Sequence, residues 1–183
     1  MKGTRPRSSD PEEDERLKNE LMNSEKEIAE NMMIMDLVRN DLAKSSETGS
    51  IEVEELFKVY SFKTVHQMIT TVKGRISGST DPFEAIANAF PMGSMTGAPK
   101  IKAMEWIEKL ESTKRGIYSG AMGYFDPNGD FDFSVCIRGL MYNIETGILG
   151  YHVGGAITWD SDPEQEYLEC QWKSSHWDQL FKK

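Results

Sequence analysis

Two pairs of glutamates carry the first chemical suggestion. Glu27 and Glu30 stand three residues apart, as do Glu166 and Glu169, and in a helix that spacing projects both members of a pair from one face. Like charges so placed repel. If the two helices face each other across a cleft, four carboxylates converge and a divalent cation relieves their repulsion; all-oxygen ligation suits Mg2+, which keeps several of its waters. On periodicity alone the favoured reading is plainer: two solvated helix faces in an acidic protein.

Other residues offer anion binding or proton transfer, each beside a structural reading. Gly154 and Gly155 precede a capped helix, where backbone N–H groups can meet an anion or simply make a tight turn. Arg138 lies in the stretch SVCIRG, which reads as a strand, so its charge faces either water or a ligand. Lys173 follows Glu169 by four residues and forms an ordinary helical ion pair with it by default. His66, in TVHQMITTV, is either a proton carrier or a core or edge histidine. Lys2 is so close to the terminus that disorder is its default.

The chain that must position these groups has 183 residues, which fits one ordinary domain spanning 1–183. It carries 21 Lys and Arg against 30 Asp and Glu, a net charge of −9, and residues 1–60 supply −6 of it. A sequence pI near 4.9 argues against a nucleic-acid binder. No apolar run approaches the ~18 residues that span a bilayer, and no apolar segment follows the basic N-terminus as in a secretory signal. The expectation is a soluble, cytoplasmic protein. Cys136 and Cys170 form no CxxC pair and have no zinc-like spacing to a histidine.

Periodicity predicts an α+β fold. Residues 1–9 read as an extended basic arm. Asp10-Pro11 caps a long helix with Leu17, Leu21, Ile28, Met32 and Met35 on its apolar face, broken near Asn23-Ser24 and ending about Lys44. Residues 51–62 and 64–76 read as strands, and Asp81-Pro82 opens a short helix to Phe90. The loop PMGSMTGAP (91–99) then leads to a helix with Ile101, Met104, Ile107 and Leu110 as its buried stripe. Strands at 117–125 and 130–143 flank the hairpin turn DPNG, and a third, reaching Val153, completes an antiparallel meander. Asp162-Pro163 with Gln165 opens a last helix carrying Tyr167, Cys170, Trp177 and Leu180.

In order along nearly the whole chain, KGTRPR (2–7), KEIAENMMIMDLVRND (26–41), VHQMI (65–69), FPMGSMTGAPKIKAMEWIEKLE (90–111), RGIYSGAMGYFDPNGDFDFSVCIR (115–138) and GGAITWDSDPEQEYLEC (154–170) resemble the chorismate-utilising enzymes. That is the family of anthranilate synthase, aminodeoxychorismate synthase and isochorismate synthase. The resemblance implies a layered sandwich of antiparallel sheets with outer helices, of which this chain is the C-terminal portion. It assigns Glu27, Glu30, Glu166 and Glu169 to Mg2+, some directly and some through water, with the metal holding the ring carboxylate of chorismate. Tyr118, Arg138, Gly154 and Gly155 match positions that take the enolpyruvyl carboxylate, with Lys173 as a further cation. Ser94 and Thr96 wall the ring, Thr4 is a further substrate contact, and His66 matches a histidine near the departing ring hydroxyl.

The subtype turns on Lys2. Lysine before Gly-Thr resembles the aminodeoxychorismate type, in which the amine attacks the ring as the 4-hydroxyl leaves and ammonia then displaces it. Such an amine must be neutral, which a desolvated pocket or a neighbouring cation, Mg2+ or Arg5, favours. No Cys-His glutaminase pattern is present, so ammonia is expected from a separate glutamine amidotransferase subunit, and the product feeds p-aminobenzoate and folate synthesis. The nearest alternative is part of an anthranilate synthase; a different class is a chorismate- and magnesium-binding fragment without catalysis. The upstream half of the family's length is missing, so exposed sheet edges favour self-association. Ala156 stands where a glycine is frequent and crowds or stiffens that loop.

Overall fold

The N-terminal helices follow from their caps. In this computed structural model, which describes residues 1–159 and 161–181, Asp10 has extended backbone and its carboxylate accepts from the Glu12 N–H at 3.1 Å, with Pro11 in the first turn of α1 (Pro11–Met22). Asn23 closes α1, and Ser24 opens α2 (Glu25–Ala43) by accepting from the Glu27 N–H. The predicted break is therefore a change from one capped helix to the next. Leu21 is fully buried and Ile34 nearly so, while Met32 is exposed. Asn31 is buried beside it because its side-chain amide donates to the Lys2 carbonyl.

The basic arm is an ordered edge strand. β1 (Thr4–Pro6) lies antiparallel to β3 (Val65–Lys73), whose other edge pairs with β2 (Glu52–Ser61), giving the order β1-β3-β2. The pairs Thr4 with Gln67 and Arg5 with His66 set the register. Alternation along β3 buries His66 and Met68 on one face, against which α1 and α2 pack. β2 carries an irregularity between Glu55 and Lys58, where Phe57 has φ 51° and its N–H bonds to the Thr70 hydroxyl.

Asp81 caps α3 (Pro82–Ala89), and the loop after it holds a single 3-10 turn at Gly93–Met95, which packs on α2. α4 (Lys100–Leu110) follows, but its expected buried stripe is solvent-facing: Ile101 and Leu110 are each more than 70% exposed and Met104 is exposed too. Spacing shows which face of a helix is apolar and is silent on what covers that face.

The chain divides into two compact units, Met1–Met104 and Glu105–Lys183. In the second, β4 (Ala121–Phe125) and β5 (Phe131–Val135) form the expected hairpin, with Phe125, Phe131 and Phe133 clustered at ring separations of 5.1 to 6.3 Å. The meander does not extend further. β6 (Met141–Tyr142) and β7 (Leu149–Gly150) make a separate two-stranded ribbon, because the chain leaves the extended region at Arg138, where φ is 57°. Arg138 thus sits in the turn beyond β5 and not within a strand. Asp162 accepts from the Gln165 N–H at 2.9 Å and caps α5 (Pro163–Phe181) as predicted. The Leu180 side chain lies outside the described residues. No helix among the described residues is long and apolar enough to cross a membrane.

Candidate functional site

In the first unit every cation of the KGTRPR arm meets a carboxylate of α1 or α2. Lys2 Nζ donates to Glu30 Oε2 at 3.1 Å, Arg5 to Glu20 at 2.8 Å and Glu27 at 3.4 Å, and Arg7 makes a forked pair with Asp14. Strand alternation would put Lys2 and Arg5 on opposite faces. Gly3 between them has φ 89°, and this left-handed residue breaks the alternation so that both reach α2. A side chain there would also be crowded, since a Cβ would stand 3.0 Å from Leu21 Cδ1 and 3.2 Å from Glu27 Cβ. Gln67 fixes the same turn, donating to the Gly3 carbonyl at 2.6 Å and accepting from the Thr4 hydroxyl at 2.9 Å.

Behind this arm Lys2 lines a cavity of about 280 Å³ with Met1, Asn31, Ile34, Met35, Val38 and residues 70–72. Its wall mixes the apolar side chains of Met1, Ile34, Met35, Val38 and Val72 with the polar ones of Lys2, Asn31, Thr70 and Thr71. His66 does not line it. Its ring is 1% exposed, with Ser61 Oγ at 2.8 Å from Nδ1 and Asp14 Oδ1 at 3.0 Å from Nε2. A carboxylate only accepts, so Nε2 carries a proton and donates to Asp14, while Nδ1 shares a hydrogen bond with the Ser61 hydroxyl. Hydrogen bonds from Arg7, the Ser8 N–H and His66 hold the Asp14 carboxyl well below the usual carboxylate range, with Arg7 contributing most. Ser94 is exposed in the 91–99 loop, and the Thr96 hydroxyl turns back to the Met92 and Gly93 carbonyls.

The second unit gathers a different set. Lys173 Nζ donates to the Gly154 carbonyl at 2.8 Å and pairs with Glu169. Glu166 is buried, accepts from Ser161 Oγ at 2.9 Å, and sets its other oxygen 3.0 Å from the place a Gly155 Cβ would occupy. The Tyr118 hydroxyl lies as close to the Gly154 position, 3.2 Å from where its Cβ would be. Tyr118 stacks on His152 at 5.4 Å, with the Arg115 guanidinium 5.8 Å from its ring centre, and burial raises its hydroxyl above the ordinary tyrosine value. Arg138 is exposed, with no ion-pair or hydrogen-bond partner among the described residues.

The structure therefore brings together Lys2, Thr4, Glu27 and Glu30 in the first unit and Tyr118, Gly154, Gly155, Glu166, Glu169 and Lys173 in the second. Sequence reading missed Asn31, Gln67, Asp14 and His152. The N-cap pattern marked Asp10, and only the fold shows that Asp14, one turn later, is the acid facing β3. For Mg2+ the donor chemistry is suitable, being carboxylate oxygen throughout. Within each unit, no group of three or more His, Cys, Asp or Glu among the described residues stands together to hold a metal. Each unit offers two of the four glutamates, and each of the four already faces a cation or a hydroxyl donor.

Comparison with known proteins gives the class. The model of the chorismate binding enzyme family matches residues 1–177, and the chain belongs to that family. It is 46% identical to an aminodeoxychorismate synthase of Streptomyces griseus over 96% of this chain and 24% of that protein. It is 44% identical to anthranilate synthase component 1 of Methanothermobacter thermautotrophicus over 94% of this chain and 37% of that one. Among solved structures, anthranilate synthase component I of Streptococcus pneumoniae superposes with a TM-score of 0.77 at 38% identity, covering 90% of this chain and 37% of that one. The α+β architecture of antiparallel sheets and helices is the one expected, and the chain spans about a quarter to well under half of the length of these relatives.

Proposed function

We propose that the chain is the chorismate-binding portion of an aminodeoxychorismate synthase, converting chorismate and ammonia to 4-amino-4-deoxychorismate and water. The observation that carries this reading is Lys2, which lines the 280 Å³ cavity and whose amine lies 3.1 Å from Glu30. Attack on the ring requires the proton donated to Glu30 to leave the amine; the 4-hydroxyl then departs as the Lys2 C–N bond forms, and ammonia displaces the lysine. Thr4 and Gln67 hold the backbone from which Lys2 projects. Tyr118, Arg138, the backbone at Gly154 and Gly155, and Lys173 would take the enolpyruvyl carboxylate, while Ser94 and Thr96 wall the ring. Glu27, Glu30, Glu166 and Glu169 would hold Mg2+, which when bound supplies positive charge for the ring carboxylate in a protein of net charge −9. His66 would meet the departing hydroxyl only once its ring is released from Asp14 and Ser61. Ammonia would come from a glutamine amidotransferase.

Anthranilate formation is the second reading, supported by anthranilate synthases that are nearly as similar, at 44% identity. Incubation with chorismate, Mg2+ and ammonium, followed by mass spectrometry, separates the two. Aminodeoxychorismate is the expected product, anthranilate supports the second reading, and no product with retained chorismate binding makes the chain a binding portion alone.

A further inference from the structure

Asp41 is an anomaly for the position it holds. It lies in the last turn of α2, where the helix dipole disfavours an anion, and its side chain is only 6% exposed, which makes a lone carboxylate costly. Two lysines resolve both problems. Lys100 Nζ, itself 15% exposed, donates to Asp41 Oδ2 at 2.6 Å, and Lys44 Nζ donates to Oδ1 at 3.0 Å. Lys44 also donates to the Asn88 carbonyl at 3.2 Å, and the Asn88 amide donates to the buried Ser45 hydroxyl at 3.0 Å. Asn88 lies in the last turn of α3 and Lys100 begins α4, so both sides of the intervening loop are tied to the C-terminal end of α2. In its middle Gly93 is buried against Leu37, so close that a Cβ would stand 2.9 Å from the Leu37 Cβ. Between these attachments Ser94 and Thr96 make no side-chain bond beyond the loop itself among the described residues.

We propose that Asp41 and Lys100 are positioning residues: their buried ion pair, with Lys44 as the second strut, clamps the 91–99 loop on α2 and so fixes where Ser94 and Thr96 stand. The clamp rests on the geometry alone, whereas its consequence for ring binding rests on the proposed function. A buried pair of this kind serves specificity of conformation more than stability, because desolvation offsets much of the attraction.

The test is amide hydrogen exchange on the whole chain. Lys100→Met, which leaves Asp41 paired with Lys44, should speed exchange across 91–99 by at least about tenfold and leave β3 unchanged, and Lys100→Arg should restore protection. Lys44→Met should loosen the loop at its Asn88 end by a smaller factor. Unchanged exchange at 91–99 in Lys100→Met, or a rise spread evenly over β1, β2 and β3, overturns the clamp. The second readout is chorismate affinity with Mg2+ present: Lys100→Met should weaken it about tenfold with recovery in Lys100→Arg. A wild-type chain that binds no chorismate overturns the proposed function and not the clamp, which the exchange pattern decides.

Discussion

Lys2, Arg5 and Arg7 of the N-terminal arm each meet a carboxylate of α1 or α2, whereas Arg138 in the second unit meets none among the described residues. The arm is a closed set of ion pairs set on a small sheet, with Leu21, Met68 and His66 fully buried beneath it. The second unit places its polar groups around glycines and a tyrosine, while its Phe125, Phe131 and Phe133 cluster belongs to the β4–β5 hairpin. Under the proposed reaction Lys2 needs a fixed platform, and its place at the start of the β1 arm, with its amine 3.1 Å from Glu30, would supply one. Arg138, with no ion pair or hydrogen bond among the described residues, would under the proposed function meet an anionic group without first breaking a pair.

This contrast can be broken most directly at Lys2. In a full-length context Lys2→Ala should lower aminodeoxychorismate formation by more than about 10³-fold while chorismate affinity stays nearly the same; retained turnover in a product assay ends the covalent role. Leu21→Ala, under the arm, should cost about 3 kcal/mol in a urea titration and so show that the first unit's order depends on its core. Glu30→Gln and Glu169→Gln take one carboxylate from each unit, and both should weaken Mg2+-dependent chorismate binding at least about tenfold by calorimetry. If only one of them does, the other unit's pair is a solvated helix face.

Acid should act on the first unit through Asp14. Its folded-state carboxyl is depressed by Arg7, so its contribution is complete above the unfolded value near pH 4 and is lost as pH falls below that toward the folded value. Wild type should therefore lose more of its urea midpoint between pH 7 and pH 3 than Asp14→Asn, and equal losses would remove Asp14 from the account. The smallest effect should come from salt. At 1 M NaCl the Debye length falls to about 3 Å, and exchange in β1 should rise roughly two- to fivefold while the phenylalanine-packed β4–β5 hairpin stays unchanged.

Much of this was legible in the chain. Caps at Asp10, Asp81 and Asp162 placed three helix starts, because a side chain that satisfies its own helix N-terminus needs nothing from the rest of the fold. The DPNG turn placed the β4–β5 hairpin for the same local reason. The α4 stripe and the third strand of the meander failed, since each depended on what a segment meets elsewhere. Ile101 and Leu110 keep helical spacing with an exposed face, and Arg138 turns left-handed where apolar neighbours suggested a strand.

By itself the sequence determined the chemical inventory: the ordered motifs that mark a chorismate binding enzyme, two glutamate pairs at helical spacing, and a lysine before Gly-Thr. Only the tertiary structure decided the partners of those groups. It made the arm a strand instead of a disordered tail and gave Lys2 to Glu30. It also committed both nitrogens of His66 and set Asp41 between two lysines. The physical reason is range. Caps and turns are satisfied within a few residues, whereas an ion pair joining residues 2 and 30 or 41 and 100 exists only when packing has already brought the two segments together.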